Sequence, residues 1–130
     1  MRVQKNRYPD GTFYTESQLD SPNFTYFVNS YEDLWALGQV LENAEHRKYP
    51  VTVTIPNLID AQADRRFHIS QPHALKLVLK FLNQFKNVDY KIFHPHNQEV
   101  VELGLDRVEI IDNSEFITKV LNLISDEKGI

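Results

Sequence analysis

Two short stretches of the sequence hold most of the side chains able to do polar chemistry. "DRRFH" carries Asp64, Arg65, Arg66 and His68, and "FHPHN" sets His94 and His96 on either side of Pro95. A guanidinium matches phosphate oxygens two bonds at a time. Imidazole ligates metals or hydrogen-bonds a phosphate. In an extended chain residues i and i+2 point to one side, so His94 and His96 are expected to face one object. Carboxylate, guanidinium and imidazole together suit a phosphorylated, metal-chelated ligand. The plain alternatives are an exposed charge cluster at 64–66, of small energetic value, and a polar loop at 94–96.

The elements that must position these groups read as follows. "VQKNRY" and "TFYTE" flank Pro9-Asp10-Gly11, a hairpin turn with φ fixed at proline and free at glycine. "FTYFV" at 24–28 is an aromatic and β-branched strand. Ser30 with Asp33 three residues on is an acidic variant of the capping box. It opens an amphipathic helix over 31–47 on Leu34, Leu37, Leu41 and Ala44. "VTVTIP" is a second strand. A long polar connection follows, and long connections in compact domains are usually functional or mobile. Pro72 suits the first turn of a helix whose apolar face is Leu75, Val78, Leu79, Leu82 and Phe85. "VDYKIF" is a strand that ends at the histidines, and "NQEVVELG" is a short helix stopped by Gly104. "RVEII" is the last strand, and Asp112 with Glu115 caps a closing helix on Phe116, Ile117, Val120, Leu121 and Ile124.

After the hairpin, strands and helices alternate. That pattern predicts an α/β fold: a mainly parallel sheet with right-handed crossovers and helices on both faces, plus an N-terminal β-hairpin. Residues 1–130 read as one domain. In such sheets ligands bind beyond the carboxyl ends of the strands. The loop after Pro56, the histidine pair and Asp112-Asn113 all sit there. Tyr8, Phe13 and Tyr14 read as hairpin packing residues, Trp35 as a partly buried anchor, and His46 and His73 as solvated.

Composition narrows the function. The chain has 130 residues, 42% hydrophobic and 25% charged, with a net charge of −4, which is ordinary for a soluble domain and unsuited to a nucleic-acid partner. There is no cysteine, so disulfides and thiolate metal sites are excluded. The N-terminal stretch lacks the apolar core of a signal peptide, and "LKLVLKFL" is too short to span a bilayer; the expected setting is cytoplasmic, without a membrane partner. The four glycines are scattered, so there is neither a glycine-rich phosphate loop nor a G-x-S-x-G elbow.

The stretches quoted above, in this order, resemble the N-terminal domain of the ribose-phosphate pyrophosphokinase (PRPP synthetase) family. "RYPDGTFY" is similar to the family's F-P-D-G-E hairpin, and "IPNLIDAQADRRF" to its A-R-Q-D-R or A-R-A-D-R segment. "QPHALKLVLKFLN" resembles the proline-led helix, "IFHPHNQEV" the strand ending in D-x-H, and "VEIIDNSEFI" the strand and helix start that close that domain. The resemblance spans nearly the whole chain. It implies a phosphoribosyltransferase-like α/β domain on the ATP side of an enzyme that transfers pyrophosphate from Mg-ATP to ribose 5-phosphate.

By that match Tyr8, Asp10 and Thr12 belong to the nucleotide site, reaching it from a neighbouring subunit of a homo-oligomer. Gln62, Asp64 and Arg65 lie along the ATP. His96 sits at the ATP–metal end, with His94 beside it as the other candidate metal ligand. No catalytic residue is assigned. Three positions depart from the family pattern: Thr12 stands for a glutamate, Gln62 for an arginine and His94 for an aspartate. Losing one charge-assisted bond to a polyphosphate costs about 1.5–3 kcal/mol. Replacing a carboxylate by imidazole disfavours Mg²⁺ and favours a softer ion such as Zn²⁺. The family's ribose-phosphate loop, D-D-x-x-D-T-G-G-T, belongs to a C-terminal domain that has no counterpart in these residues. The implied function is therefore an ATP-side domain inactive by itself. The alternative is a non-catalytic, PRPP synthetase-like assembly or regulatory protein.

Overall fold

In the computed structural model, which describes residues 1–63 and 65–111, six strands and three helices follow one another. Strands β1 (Arg2–Arg7) and β2 (Phe13–Gln18) form an antiparallel hairpin, with Arg7 opposite Phe13 at the turn. Strands β3 (Asn23–Thr25), β4 (Val51–Ile55), β5 (Val88–Phe93) and β6 (Val108–Ile111) form a parallel sheet in that spatial order. The first sheet strand is shorter than its aromatic run predicts. Tyr26 N still donates to Thr54 O at 2.9 Å, and Val28 rejoins through a bridge to Leu58.

Helices α1 (Tyr31–His46), α2 (Ala74–Asn83) and α3 (Gln98–Gly104) each connect one strand to its next neighbour. Crossovers that all step in one direction with the same hand place their helices on one face. The core agrees. Leu37 and Leu41 of α1, Leu75, Leu79 and Leu82 of α2 and Val101 of α3 form one cluster with Val51, Val53, Ile55, Val88, Tyr90 and Ile92. The opposite face carries Thr52, Thr54, Asp89, Lys91 and Glu109, the other phase of the same strands. There Arg107 grips Asp89 with two bonds of 2.9 and 2.8 Å. The closing helix expected after the Asp112 cap, with its apolar face at Phe116, Ile117, Val120, Leu121 and Ile124, lies outside the described residues.

Local chemistry sets the helix ends. Ser30 caps α1, its Oγ accepting from Asp33 N at 3.0 Å, while the Asp33 carboxylate accepts from Asn29 N at 3.1 Å. The box is thus closed one residue earlier than the usual pattern. His73, read from sequence as a solvated residue, is the N-cap of α2. Its Nδ1 accepts from Lys76 N at 3.2 Å, and Pro72 precedes the cap instead of occupying the first turn. Asn97 caps α3 through its amide oxygen.

The hairpin is fastened to α1 by hydrogen bonds and ion pairs. Gln39 accepts from Thr15 N at 2.7 Å and donates to Phe13 O at 3.2 Å, satisfying two backbone groups on the edge of β2. Lys5 and Arg7 reach Glu32 in the first turn of α1, at 3.0 and 2.6 Å, and both cations lie over the Phe13 ring. The Arg7 and then the Lys5 hydrogen bonds hold the Glu32 carboxyl below the usual carboxylate range.

Helix α2 is seated between two glycines. A Cβ on Gly38 of α1 would overlap the Phe81 ring, with Cε1 at 2.8 Å. One on Gly104 would lie 2.6 Å from Leu79 Cδ1 and 2.9 Å from Leu79 Cβ. Gly104 was expected to stop α3 and is its last helical residue; its missing side chain also lets α3 touch α2. The consequence is testable. Gly104→Ala meets the fully buried Leu79 close to its backbone and is expected to lower stability by about 1–3 kcal/mol in urea unfolding. Gly38→Ala meets the half-buried Phe81 ring, which can swing outward, and gains about 1 kcal/mol of helix propensity. Its midpoint is expected to fall less.

Candidate functional site

Both central strands are bracketed by residues in the left-handed backbone region. Lys48 (φ 56) precedes β4 and Asp60 (φ 62) follows it, while Asn87 (φ 61) precedes β5 and His94 (φ 35) follows it. For residues other than glycine this region is sparsely populated, although Asn, Asp and His enter it more readily than most. The two exits matter for function, because they turn the chain sharply beyond the carboxyl ends of the strands.

After β4 the turn makes a cleft. Val28 and Asn29 from the β3–α1 connection face residues 57–63, enclosing an open volume of ≈ 470 Å³ with Asn57, Asp60 and Gln62 among its lining. Asn57 Nδ2 donates to Asn29 Oδ1 at 2.7 Å across the cleft floor. Asp60 is held at its rim by the Tyr31 hydroxyl, which donates to the two carboxylate oxygens at 3.0 and 2.9 Å. That hydrogen bond raises the Tyr31 phenol above its ordinary value, with smaller contributions from desolvation and the Asp60 charge. Ala63 O accepts from Leu75 N at 3.0 Å, so the connection is anchored to the first turn of α2.

The residues singled out in the sequence do not converge on this cleft as one set. Gln62 lines it. Arg65 lies over the exposed Phe67 ring, 5.2 Å from its centroid, and Arg66 donates to Gln71 O. Asp64 lies outside the described residues, as do Asp112 and Asn113. His94 and His96 follow β5 and are exposed. The extended geometry that was expected to aim them at one object is absent: β5 ends at Phe93, and the left-handed backbone of His94 bends the chain, its N–H donating to Ile111 O at 2.7 Å. Among the described residues no group of three or more His, Asp or Glu is arranged to hold a metal ion. Two imidazoles on a bend are nitrogen donors and do not supply the oxygen cage that Mg²⁺ requires.

In the hairpin, Tyr8, Asp10 and Thr12 contact one another and their hairpin neighbours. Asp10 Oδ1 accepts from both Thr12 N, at 3.0 Å, and Thr12 Oγ1, at 2.6 Å. The Thr12 hydroxyl and then its backbone N–H lower the pKa of Asp10. Tyr8 is 53% exposed and lies against Tyr14, also exposed, with centroids 5.4 Å apart. Trp35, expected to be a partly buried anchor, is 56% exposed.

Asn29, Asn57 and the Tyr31–Asp60 pair were not foreseen. Tyr31 and Asp60 are 29 positions apart, and no local spacing rule links them. The strand-end rule pointed to the loop after Pro56 but not to these partners.

No family model matches the sequence, and no curated protein matches it either. The fold is similar to that in the crystal structure of phosphoribosylpyrophosphate synthetase from Mycobacterium smegmatis, with a TM-score of 0.70 at 12% sequence identity. That similarity covers 97% of this chain and 45% of that chain, so the chain spans less than half the length of its structural neighbour. At this identity the likeness establishes the fold: a PRPP synthetase-like α/β domain with a parallel four-stranded sheet and an N-terminal antiparallel hairpin. No described helix is long and apolar enough to cross a membrane.

The Tyr31–Asp60 bond gives a pH signature. A phenol whose folded pKa is raised binds its proton more tightly than the unfolded chain does. Its contribution is therefore complete below the ordinary value of about 10 and is lost as pH rises through the folded value. Tyr31→Phe is expected to remove one late-ionising phenol from the 295 nm titration and to flatten the alkaline fall in stability. Loss of a phenol that ionises at the ordinary value instead would mean that the pair does not form.

Proposed function

We propose that this chain is the nucleotide-side domain of a PRPP synthetase-like protein, binding ATP across the rim of β4 and β5 and acting in a cytoplasmic setting. The observation that carries the proposal is the fold likeness over 97% of the chain, combined with hairpin, loop and strand-end motifs in the order that family uses. The cleft supports it chemically. Its amides and carboxylate at Asn29, Asn57, Asp60 and Gln62 offer the directional hydrogen bonds a nucleoside needs, while Arg65 and Arg66 lie further along the same connection, where a polyphosphate would be neutralised. Tyr8 and the exposed Tyr14 offer a stacking surface if the hairpin reaches a neighbouring copy. The sequence contains no D-D-x-x-D-T-G-G-T stretch for a sugar phosphate, so pyrophosphoryl transfer to ribose 5-phosphate would need a C-terminal domain. The described residues do not form a Mg²⁺ cage, and any Mg²⁺ would arrive with the ATP.

A second reading, a non-catalytic assembly or regulatory relative, draws support from the same site. Asp10 is occupied by Thr12, Gln62 is neutral, and His94 turns away from the strand direction. Calorimetry separates the two readings. The first expects ATP to bind with a Kd below about 1 mM, weakened roughly tenfold by Arg65→Ala, as one charge-assisted bond is worth. Absence of heat at millimolar ATP, with and without Mg²⁺, would leave the assembly reading.

A further inference from the structure

Between α1 and α2 lies an open pocket of ≈ 360 Å³ that shares only Asp60 with the cleft. Each helix lends it one wall. Tyr31 and Trp35 stand four residues apart on α1, and Leu77 and Phe81 four apart on α2, so each pair shares a helix face. The walls meet where Trp35 packs on Phe81, with ring centroids 6.0 Å apart. Tyr31, Trp35 and Leu77 nevertheless keep 63, 56 and 59% of their surface open to solvent, within reach of a ligand. Polar groups in the pocket are few. The Tyr31 hydroxyl and the Asp60 carboxylate, joined at 3.0 and 2.9 Å, sit together in a lining that is otherwise aliphatic and aromatic. Asp60 is the one charged side chain among the described residues that line the pocket, and no described cation pairs with it.

We propose that this pocket binds a small organic cation: a primary ammonium carried on a short aryl or alkyl chain. Charge makes the selection. A carboxylate has acceptor sites to spare beyond the single hydroxyl that Asp60 already receives. An ammonium can donate to it and lie beside Tyr31 and Trp35, whose rings attract a cation presented to their faces. The hydrocarbon part then covers Leu77 and Phe81, which gain by leaving water. A neutral molecule of the same shape leaves the carboxylate without a counter-charge, and an anion is repelled by it. Mostly apolar walls with one or two placed polar groups are the usual make-up of a small-molecule site. Asp60 is also held in position for this role. Its left-handed backbone (φ 62) redirects the β4 exit, and the Tyr31 hydroxyl ties its carboxylate to α1. The inference goes beyond the nucleotide reading. Its ligand carries neither phosphate nor nucleobase, so either reading can fail without the other.

The test titrates the full chain with phenethylammonium, with neutral phenethyl alcohol and with anionic phenylpropionate. Trp35 is the sole tryptophan, so its emission reports occupancy. The ammonium should bind with a Kd of about 1 mM or tighter, roughly tenfold more tightly than the alcohol, and the anion should not bind. Asp60→Asn keeps the side-chain shape, and asparagine enters the left-handed region readily. It should weaken the ammonium about tenfold and leave the alcohol unchanged. Leu77→Lys lies at an exposed position that lines the pocket and not the cleft. It should abolish ammonium binding, its fold checked by circular dichroism. Equal affinity for ammonium and alcohol overturns the inference, as does a chain that ignores all three probes or an Asp60→Asn variant that binds as the wild type does. Binding untouched by Leu77→Lys would put the cation in the cleft, and binding that weakens as protein concentration rises would mean that a second copy covers the pocket. Both results overturn it as well.

Discussion

The close approach of α2 to both of its neighbours is the constraint on which most of this fold depends. At Gly38 and Gly104, α1 and α3 each come within a missing side chain of α2. Interiors pack at near-crystalline density, so a methyl group at Gly104 would press on Leu79 close to its backbone, whereas one at Gly38 meets the Phe81 ring, which can swing outward. Leu75, Leu79 and Leu82 of α2 are buried against Val53, Ile55, Tyr90 and Ile92. The Tyr90 hydroxyl donates to Leu82 O at 2.5 Å inside that core, and burial raises its phenol well above the ordinary range. The seating of α2 also fixes where its first turn lies. Through the Leu75 N–Ala63 O bond it sets the far end of the connection that forms the cleft.

From that seating the two exposed features follow. On the inner side, where the strands end, the left-handed turns at Asp60 and His94 redirect the chain, and the Tyr31–Asp60 bond ties the β4 exit to α1. On the outer side, the same glycine that allows α1 and α2 to approach lets Phe81 lie over α1, leaving Trp35 and Leu77 on the surface. The cleft and this exposed face therefore differ in chemistry. One offers amides and a carboxylate; the other offers exposed aromatic area at Tyr31 and Trp35.

The order of elements was largely legible, because hydrophobic period and capping chemistry are local. "VTVTI" and "VDYKIF" alternate, and the structure buries Val51, Val53, Ile55, Val88, Tyr90 and Ile92 on one face. The other phase of the same strands, Thr52, Thr54, Asp89 and Lys91, lies on the opposite face. The capping role of His73 was not foreseen because a histidine cap has no distinctive spacing. Trp35 was misread because helical periodicity places a residue on a face but does not say whether a neighbouring helix covers it. For the site, strand ends correctly drew attention to the loop after Pro56, but the partners within it came from elsewhere in the chain.

The sequence by itself determined the alternation of strands and helices, the caps at Ser30 and Asn97, the Pro9-Asp10-Gly11 turn and the polar character of the strand-end loops. Each depends on residues within a few positions of one another, where propensity and hydrogen bonding act directly. Tertiary structure alone decided that the backbone bends at His94, that Asp10 is engaged by Thr12, that Tyr31 meets Asp60, and that Gly104 also serves contact with α2. Backbone φ at a strand exit, and the approach of side chains distant in sequence, are set by how whole elements pack. No local rule carries that information.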